Sequence, residues 1–303
     1  MTGALAARVA AALDRNVDPA VADFARRLAE DAGALAVLFY GSNLRTGSLE
    51  GVLDFYVLLP GARERGLWPR VSYREWDHEG ACLRAKIATM NLATFAAAAT
   101  GETLDTTIWA RFVQPSALVW ARDDGARAQV LAALEAAAIT AARLAVTVGP
   151  DHGTEDAFWA ALFRATYRAE LRVEPPGREQ SILSANRAHF DGLLPAALAA
   201  AGIPFTQDAR EIMPQLDAGT RVQVMRWWRR RRSLGKPLNM VRLVRAAATF
   251  DGAMRYVAWK VERHTGMPVK VTPLRERFPL LAAPALAAHL WRARRNPPLP
   301  RQN

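Results

Sequence analysis

Asp54 is the one charged residue in the apolar run Val52–Leu59, and a carboxylate there is costly to bury unless it is paired or binds a metal. A second apolar run, Ala34–Tyr40, ends at Gly41–Ser42, and the polar loop Gly41–Gly51 joins the two. A Gly-Ser turn after a strand offers backbone N–H groups and a hydroxyl to phosphate oxygens. A phosphate cradle facing an acidic strand suits nucleotidyl transfer, with Asp54 holding Mg²⁺ and Mg²⁺ neutralising the phosphates. The same residues also fit a plainer hairpin, with Asp54 at a sheet edge accepting backbone hydrogen bonds.

Other residues gain meaning only beside that pair. Lys86, one of four lysines, lies in a strand-like run and suits a triphosphate clamp, or else a surface lysine with a buried stem. Arg111 can pair with a phosphate through two N–H groups, although 36 arginines make any single one a weak signal. Tyr167, Glu170 and Arg172 fall at the end of a helix and fit either a site lining or a surface ion pair.

Apolar runs bounded by Gly and Pro predict strands at Ala34–Tyr40, Val52–Leu59, Val71–Tyr73, Cys82–Met90 and Ala117–Trp120. Helical periodicity predicts helices from the start to about Glu30 with a break at Asn16–Pro19, then at Leu92–Ala99, Thr106–Phe112, Ala126–Val146, Glu155–Tyr167 and Asn186–Ala201. Further helices are expected at Arg221–Arg231, Met240–Ala248, Asp251–His264 and Leu280–Arg294, with a loop at Glu174–Gly177 and a disordered tail from Asn296. Strands first and helices later predict an α+β chain with a mixed sheet and flanking helices. The expected divisions are 1–124, 125–220 and 221–303.

Charge is unevenly spread. The chain carries +11 overall, yet from Arg221 onward 19 basic residues face only 3 acidic ones, against 21 and 26 in the preceding 220 residues. A basic region on a mildly acidic body calls for an anionic partner, nucleic acid or an acidic membrane surface. Trp227 and Trp228 followed by Arg229, Arg230, Arg231 and Arg232, and later Trp291 followed by arginines, suit a membrane–water interface. The competing reading is a helical domain whose tryptophans are core. A single cysteine, Cys82, excludes a disulfide framework and fits a reducing cytosol, and five scattered histidines show no metal spacing. No P-loop and no G-x-S-x-G elbow occurs.

Gly41–Ser42 followed by Asp54 resembles the nucleotidyltransferase superfamily. From about Leu38 to Ala197 the chain resembles the mitochondrial-type phosphatidate cytidylyltransferases, the CDP-diacylglycerol synthases of the translocator-assembly-and-maintenance family. The matching elements are Tyr40–Gly41–Ser42 with Asp54–Phe55, Lys86, Ala110–Arg111–Phe112 with Gln114–Pro115, and Tyr167 with Glu170 and Arg172. The resemblance implies a nucleotidyltransferase-like fold and Mg²⁺-dependent transfer of CMP from CTP to phosphatidate or a related lipid phosphate, giving CDP-diacylglycerol and pyrophosphate. It implies catalytic roles for Asp54, Lys86 and Arg111, and nucleotide binding by Gly41, Ser42, Tyr167, Glu170 and Arg172. A peripheral place on the inner face of the cell membrane follows. The chain departs from the pattern at Asn43, where the family has a glycine, and at Gln114, where it has a lysine. Tyr56 occupies the superfamily's second-carboxylate position, leaving Asp77, Glu79 and Asp105 as candidates for a second ligand. Two other readings stand beside this one: a nucleic-acid-binding protein with Trp227 and Trp228 as stacking platforms, and the same scaffold without catalysis.

Overall fold

The computed structural model describes residues 3–66, 69–170, 178–249 and 251–265. Arg172, the Glu174–Gly177 loop, the helix expected at Leu280–Arg294, Trp291 and the tail lie outside the described residues.

The framework is a mixed five-stranded sheet flanked by helices. Its strands are β1 (Ala36–Tyr40), β2 (Leu53–Leu59), β3 (Arg70–His78), β4 (Ala81–Asn91) and β5 (Ser116–Ala121), in spatial order β3-β4-β2-β1-β5. Only the β2–β4 pair is parallel. β1 and β2 are interior strands buried almost throughout, which explains why both read as continuous apolar runs. The edge position of the plainer hairpin reading is therefore ruled out for Asp54.

Each face of the sheet has its own core. Val37, Phe39, Phe55 and Val57 point to one side, where α2 (Pro19–Ala32) covers them with Val21, Phe24 and Ala25. Asp18 starts that helix by accepting a bond from Ala20 N, and Pro19 sits at its first position, so the break expected at Asn16–Pro19 separates it from α1 (Ala4–Leu13). Leu38, Tyr56, Leu58 and Met90 point to the other side, under a thick helical layer. That layer includes α4 (Leu92–Ala99), α5 (Thr107–Phe112), α6 (Asp124–Val148) and α7 (Glu155–Ala169). α6 is long and apolar enough to cross a membrane by length and composition, but two thirds of its most apolar stretch is buried inside the protein. It is the central core helix.

Past α7 come α8 (Arg178–Ala185), α9 (Arg187–Phe190) and α10 (Leu193–Ala200). The single helix expected at Asn186–Ala201 is broken at Gly192, whose φ is +74°. The Glu155 carboxylate accepts from Gly192 N and Leu194 N at 2.9 and 3.1 Å, capping α10 from another helix. Three short strands, β6 (Gly153–Thr154), β7 (Phe205–Asp208) and β8 (Glu211–Pro214), form a small second sheet.

The two helices expected at Arg221–Arg231 and Met240–Ala248 are one, α11 (Ala218–Thr249), running through Pro237. α12 (Ala253–Thr265) follows. Trp228, 3 % exposed, belongs to the same core as Leu5, Tyr56 and Trp159. Residues on either side of the divisions expected at 124/125 and 220/221 contribute to that core.

Candidate functional site

One rung of the sheet brings several of the expected site residues together. Ser116, Tyr40, Asp54, Lys86 and Tyr73 are paired in succession across all five strands, so their side chains share one face. This is the face under the helical layer, at the edge where β1 leaves the sheet and β2 enters it. α3 (Ser42–Thr46) begins immediately after β1, and its starting residue Gly41 has φ +92°. Asn43 is buried and ties the loop down, donating to Ser48 O at 2.8 Å and Glu50 O at 2.7 Å. The Asn43 side chain thus holds the Gly41–Gly51 loop in shape.

Above the rung a cleft of about 290 Å³ opens. The sheet and α3 contribute Tyr40, Gly41, Ser42, Arg45, Asp54 and Lys86. The end of α5 contributes Arg111 with Gln114 and Pro115, α7 contributes Tyr167, and α8 with its following residue contributes Ile182 and Asn186. Six of the expected site residues, Gly41, Ser42, Asp54, Lys86, Arg111 and Tyr167, therefore meet in one place, drawn from five elements.

Among the described residues, the lining of the cleft is basic with one carboxylate. Burial pushes the Asp54 carboxyl above its ordinary range, and Lys86 and Arg111 pull it partly back. Arg111 donates to the Tyr40 hydroxyl at 3.1 Å, and its guanidinium carbon lies 5.1 Å from the Tyr40 ring centre. Burial works against the Arg111 charge, but Tyr40, Tyr56, Asp54 and Glu170 around it favour the cation and hold it charged. The phenol of Tyr40 is itself pushed up, chiefly by burial. Among the described residues, Lys86, Arg111 and Arg45 against Asp54 leave the lining of the cleft net positive.

Arg45 was not legible as a site residue, because a lone arginine in an arginine-rich chain carries no motif. Asn186 and Ile182 were missed for a similar reason: they lie far along the sequence and only the packing of α8 brings them in.

Several expectations are corrected. Glu170 does not line the cleft; it is buried behind it, accepting from Thr106 Oγ1 at 2.8 Å. Tyr56 is 1 % exposed, its ring packed among Tyr40, Phe95 and Phe112. None of the three candidates for a second ligand reaches Asp54. Asp77 is exposed near the tip of the β3–β4 hairpin and Glu79 is in its turn. Asp105 is buried and bound to Arg242 at 2.6 and 2.7 Å.

The membrane-facing tryptophans are also corrected. Trp228 is core, and Trp227 is half-buried, donating Nε1 to Gly101 O at 3.0 Å. Both rings pack against Trp109. Arg231 is 5 % exposed, lies 3.9 Å over the Trp227 ring, and donates to Gly101 O and Thr103 O. Arg229, Arg230 and Arg232 do face solvent. The pattern WWRRRR is amphipathic in the ordinary sense, with its aromatic side turned inward.

No protein-family model and no curated protein matches this chain.

Proposed function

We propose that the cleft is a nucleotidyl-transfer site, and that the chain transfers CMP from CTP to phosphatidate or a related lipid phosphate. The observation that carries this reading is the Asp54–Lys86 rung under Arg111, beside the Gly41–Ser42 turn, in one cleft. The base and the lipid come from the family resemblance; the geometry supports the anionic, phosphate-handling part. A nucleotidyltransferase-like fold is the finer reading of the mixed sheet.

The residues fit Mg²⁺ in a specific way. Among the described residues, Asp54 is the sole carboxylate lining the cleft, and no group of three or more His, Cys, Asp or Glu could form a metal cage. That donor set is wrong for an ion held by protein alone. It suits Mg²⁺, which commonly takes one or two carboxylates and draws its other ligands from phosphates and water. When bound, the ion supplies charge neutralisation at the phosphates.

The rest follows from the chain's own groups. Gly41 and Ser42 offer N–H groups and a hydroxyl to the triphosphate. Lys86 and Arg111 hold the reacting phosphates and neutralise charge as it develops. In the transfer, an oxygen of the lipid phosphate forms a bond to the α-phosphorus while the bond to the α–β bridging oxygen breaks, and pyrophosphate leaves. No covalent step falls to the protein, so positioning and fixed charge carry the rate. Exposed Arg229, Arg230 and Arg232 on α11 supply attraction to an anionic surface on the cytoplasmic side. The nucleic-acid reading loses support, because Trp228 is buried and the Trp227 ring is already covered by Arg231. The test is turnover of CTP with phosphatidate vesicles and Mg²⁺, with release of pyrophosphate as the readout.

A further inference from the structure

α11 grips the segment leading into α5 at three points. Trp227 and Arg231 hold the carbonyls of Gly101 and Thr103, and eleven residues further on Arg242 holds Asp105. The last contact is a two-pronged ion pair, Nη1 to Oδ1 at 2.6 Å and Nη2 to Oδ2 at 2.7 Å, with Asp105 only 5 % exposed. The same Asp105 Oδ1 accepts from Thr107 N at 3.0 Å and from Thr107 Oγ1 at 2.7 Å. Asp105 therefore fixes the first turn of α5, the helix that delivers Arg111 four residues later. Between them Thr106 bonds to Glu170, whose charge acts on Arg111.

A second, independent contact ties α11 to the other side of the cleft. Gly235 lies against the carbonyl of Ala169, so closely that an added Cβ would collide with it. Ala169 ends α7, two residues after Tyr167 of the cleft. One helix thus braces both α5 and α7 where they present their cleft residues.

We propose that Arg242 and Asp105 are positioning residues of the cleft: their ion pair sets the start of α5 and through it the place of Arg111. This inference rests on the anion-binding reading of the cleft. It assigns a role to a part of the chain beyond the family resemblance, and it gives Asp105 a task other than metal ligation. Buried, two-pronged pairing of this kind is specific to arginine, since lysine offers charge without the fork.

The experiment is a double-mutant cycle read by calorimetric binding of inorganic triphosphate to the full chain. Arg242→Gln is expected to weaken binding about tenfold, as for one charge-assisted bond lost at Arg111. On an Arg111→Ala background the same change is expected to add little, because there is no guanidinium left to misplace. Arg242→Lys should lie between Arg242→Gln and the parent, and takes the place of Arg242→Gln in the cycle if that variant does not fold. A purely structural pair would cost the same in both backgrounds; that result, or unaltered triphosphate binding by the single variants, overturns the inference. Failure of the parent protein to bind triphosphate overturns it as well. Non-additive binding in a protein that turns over no CTP would sustain the inference while contradicting the transfer reading.

Discussion

Gly41 backs directly onto Asp54: a Cβ built on Gly41 would stand 2.9 Å from the Asp54 Oδ2 oxygen. The glycine also holds φ +92°, a conformation that side-chain-bearing residues avoid. Gly41→Ala is therefore expected to strain the turn and crowd the carboxylate together. Strain of this kind costs about 1–3 kcal/mol. The expected outcome is a modest fall in thermal midpoint and a much larger fall in CTP turnover. A variant with parental turnover would show that the close approach has no part in the chemistry.

The strands were legible because their burial is simple. β1 and β2 are covered on both faces, so Ala34–Tyr40 and Val52–Leu59 read as unbroken apolar runs with Asp54 as the exception. The Asp54–Lys86 rung was legible only in part: the two residues are 32 positions apart, and nothing in the sequence says that β4 lies parallel to β2 with Lys86 opposite Asp54. α3 and the β6–β8 sheet were not legible, since pieces of two to five residues are too short for periodicity to declare itself. Helices were expected at Arg221–Arg231 and Met240–Ala248, yet α11 runs through as one, anchored before Pro237 by Arg231 and after it by Arg242. The apolar side of α11 was visible in the sequence; whether it met lipid or the body of the protein was not.

That choice has a direct consequence. Trp228→Ala is expected to destabilise the protein by about 3–5 kcal/mol, the usual cost of emptying a buried aromatic site. Removing everything from Arg221 onward should unfold or aggregate it, where a detachable membrane anchor would leave the body intact. Replacing Arg229, Arg230 and Arg232 together with alanine should alter stability little, since exposed substitutions fall within about 0.5 kcal/mol each. The same triple variant should sediment less with anionic vesicles at low salt. Denaturant titration beside vesicle sedimentation checks both halves. Unchanged sedimentation of the triple variant would remove these arginines from surface binding.

His189 predicts an acid-sensitive fold. Its Nε2 bonds to Val113 O at 2.9 Å, and burial, with smaller contributions from Arg15 and Arg8, lowers its pKa from 6.5 to about 4. The folded state then holds the ring neutral where the unfolded chain takes up a proton. Stability should fall as pH drops from about 6.5 to about 4, by something on the order of 2–3 kcal/mol from this group. His189→Gln, which keeps a donor for Val113 O, should flatten that slope. Equal slopes for the two proteins in urea titrations from pH 7 to pH 4 would contradict the assignment.

Asp54 is the residue on which the proposed phosphate chemistry in the cleft turns. Asn keeps its shape and removes its charge, so the comparison of Asp54→Asn with the parent is the most direct measurement: pyrophosphate release from CTP with phosphatidate vesicles and Mg²⁺, beside the thermal midpoint of each protein. The expected results are Mg²⁺-dependent turnover by the parent, loss of at least about a hundredfold in the variant, roughly 3 kcal/mol of transition-state stabilisation, and a midpoint no lower than the parent's, because burial already disfavours the Asp54 charge. Parental turnover in a folded Asp54→Asn protein, or an Asp54→Asn protein that fails to fold, would contradict this role of Asp54.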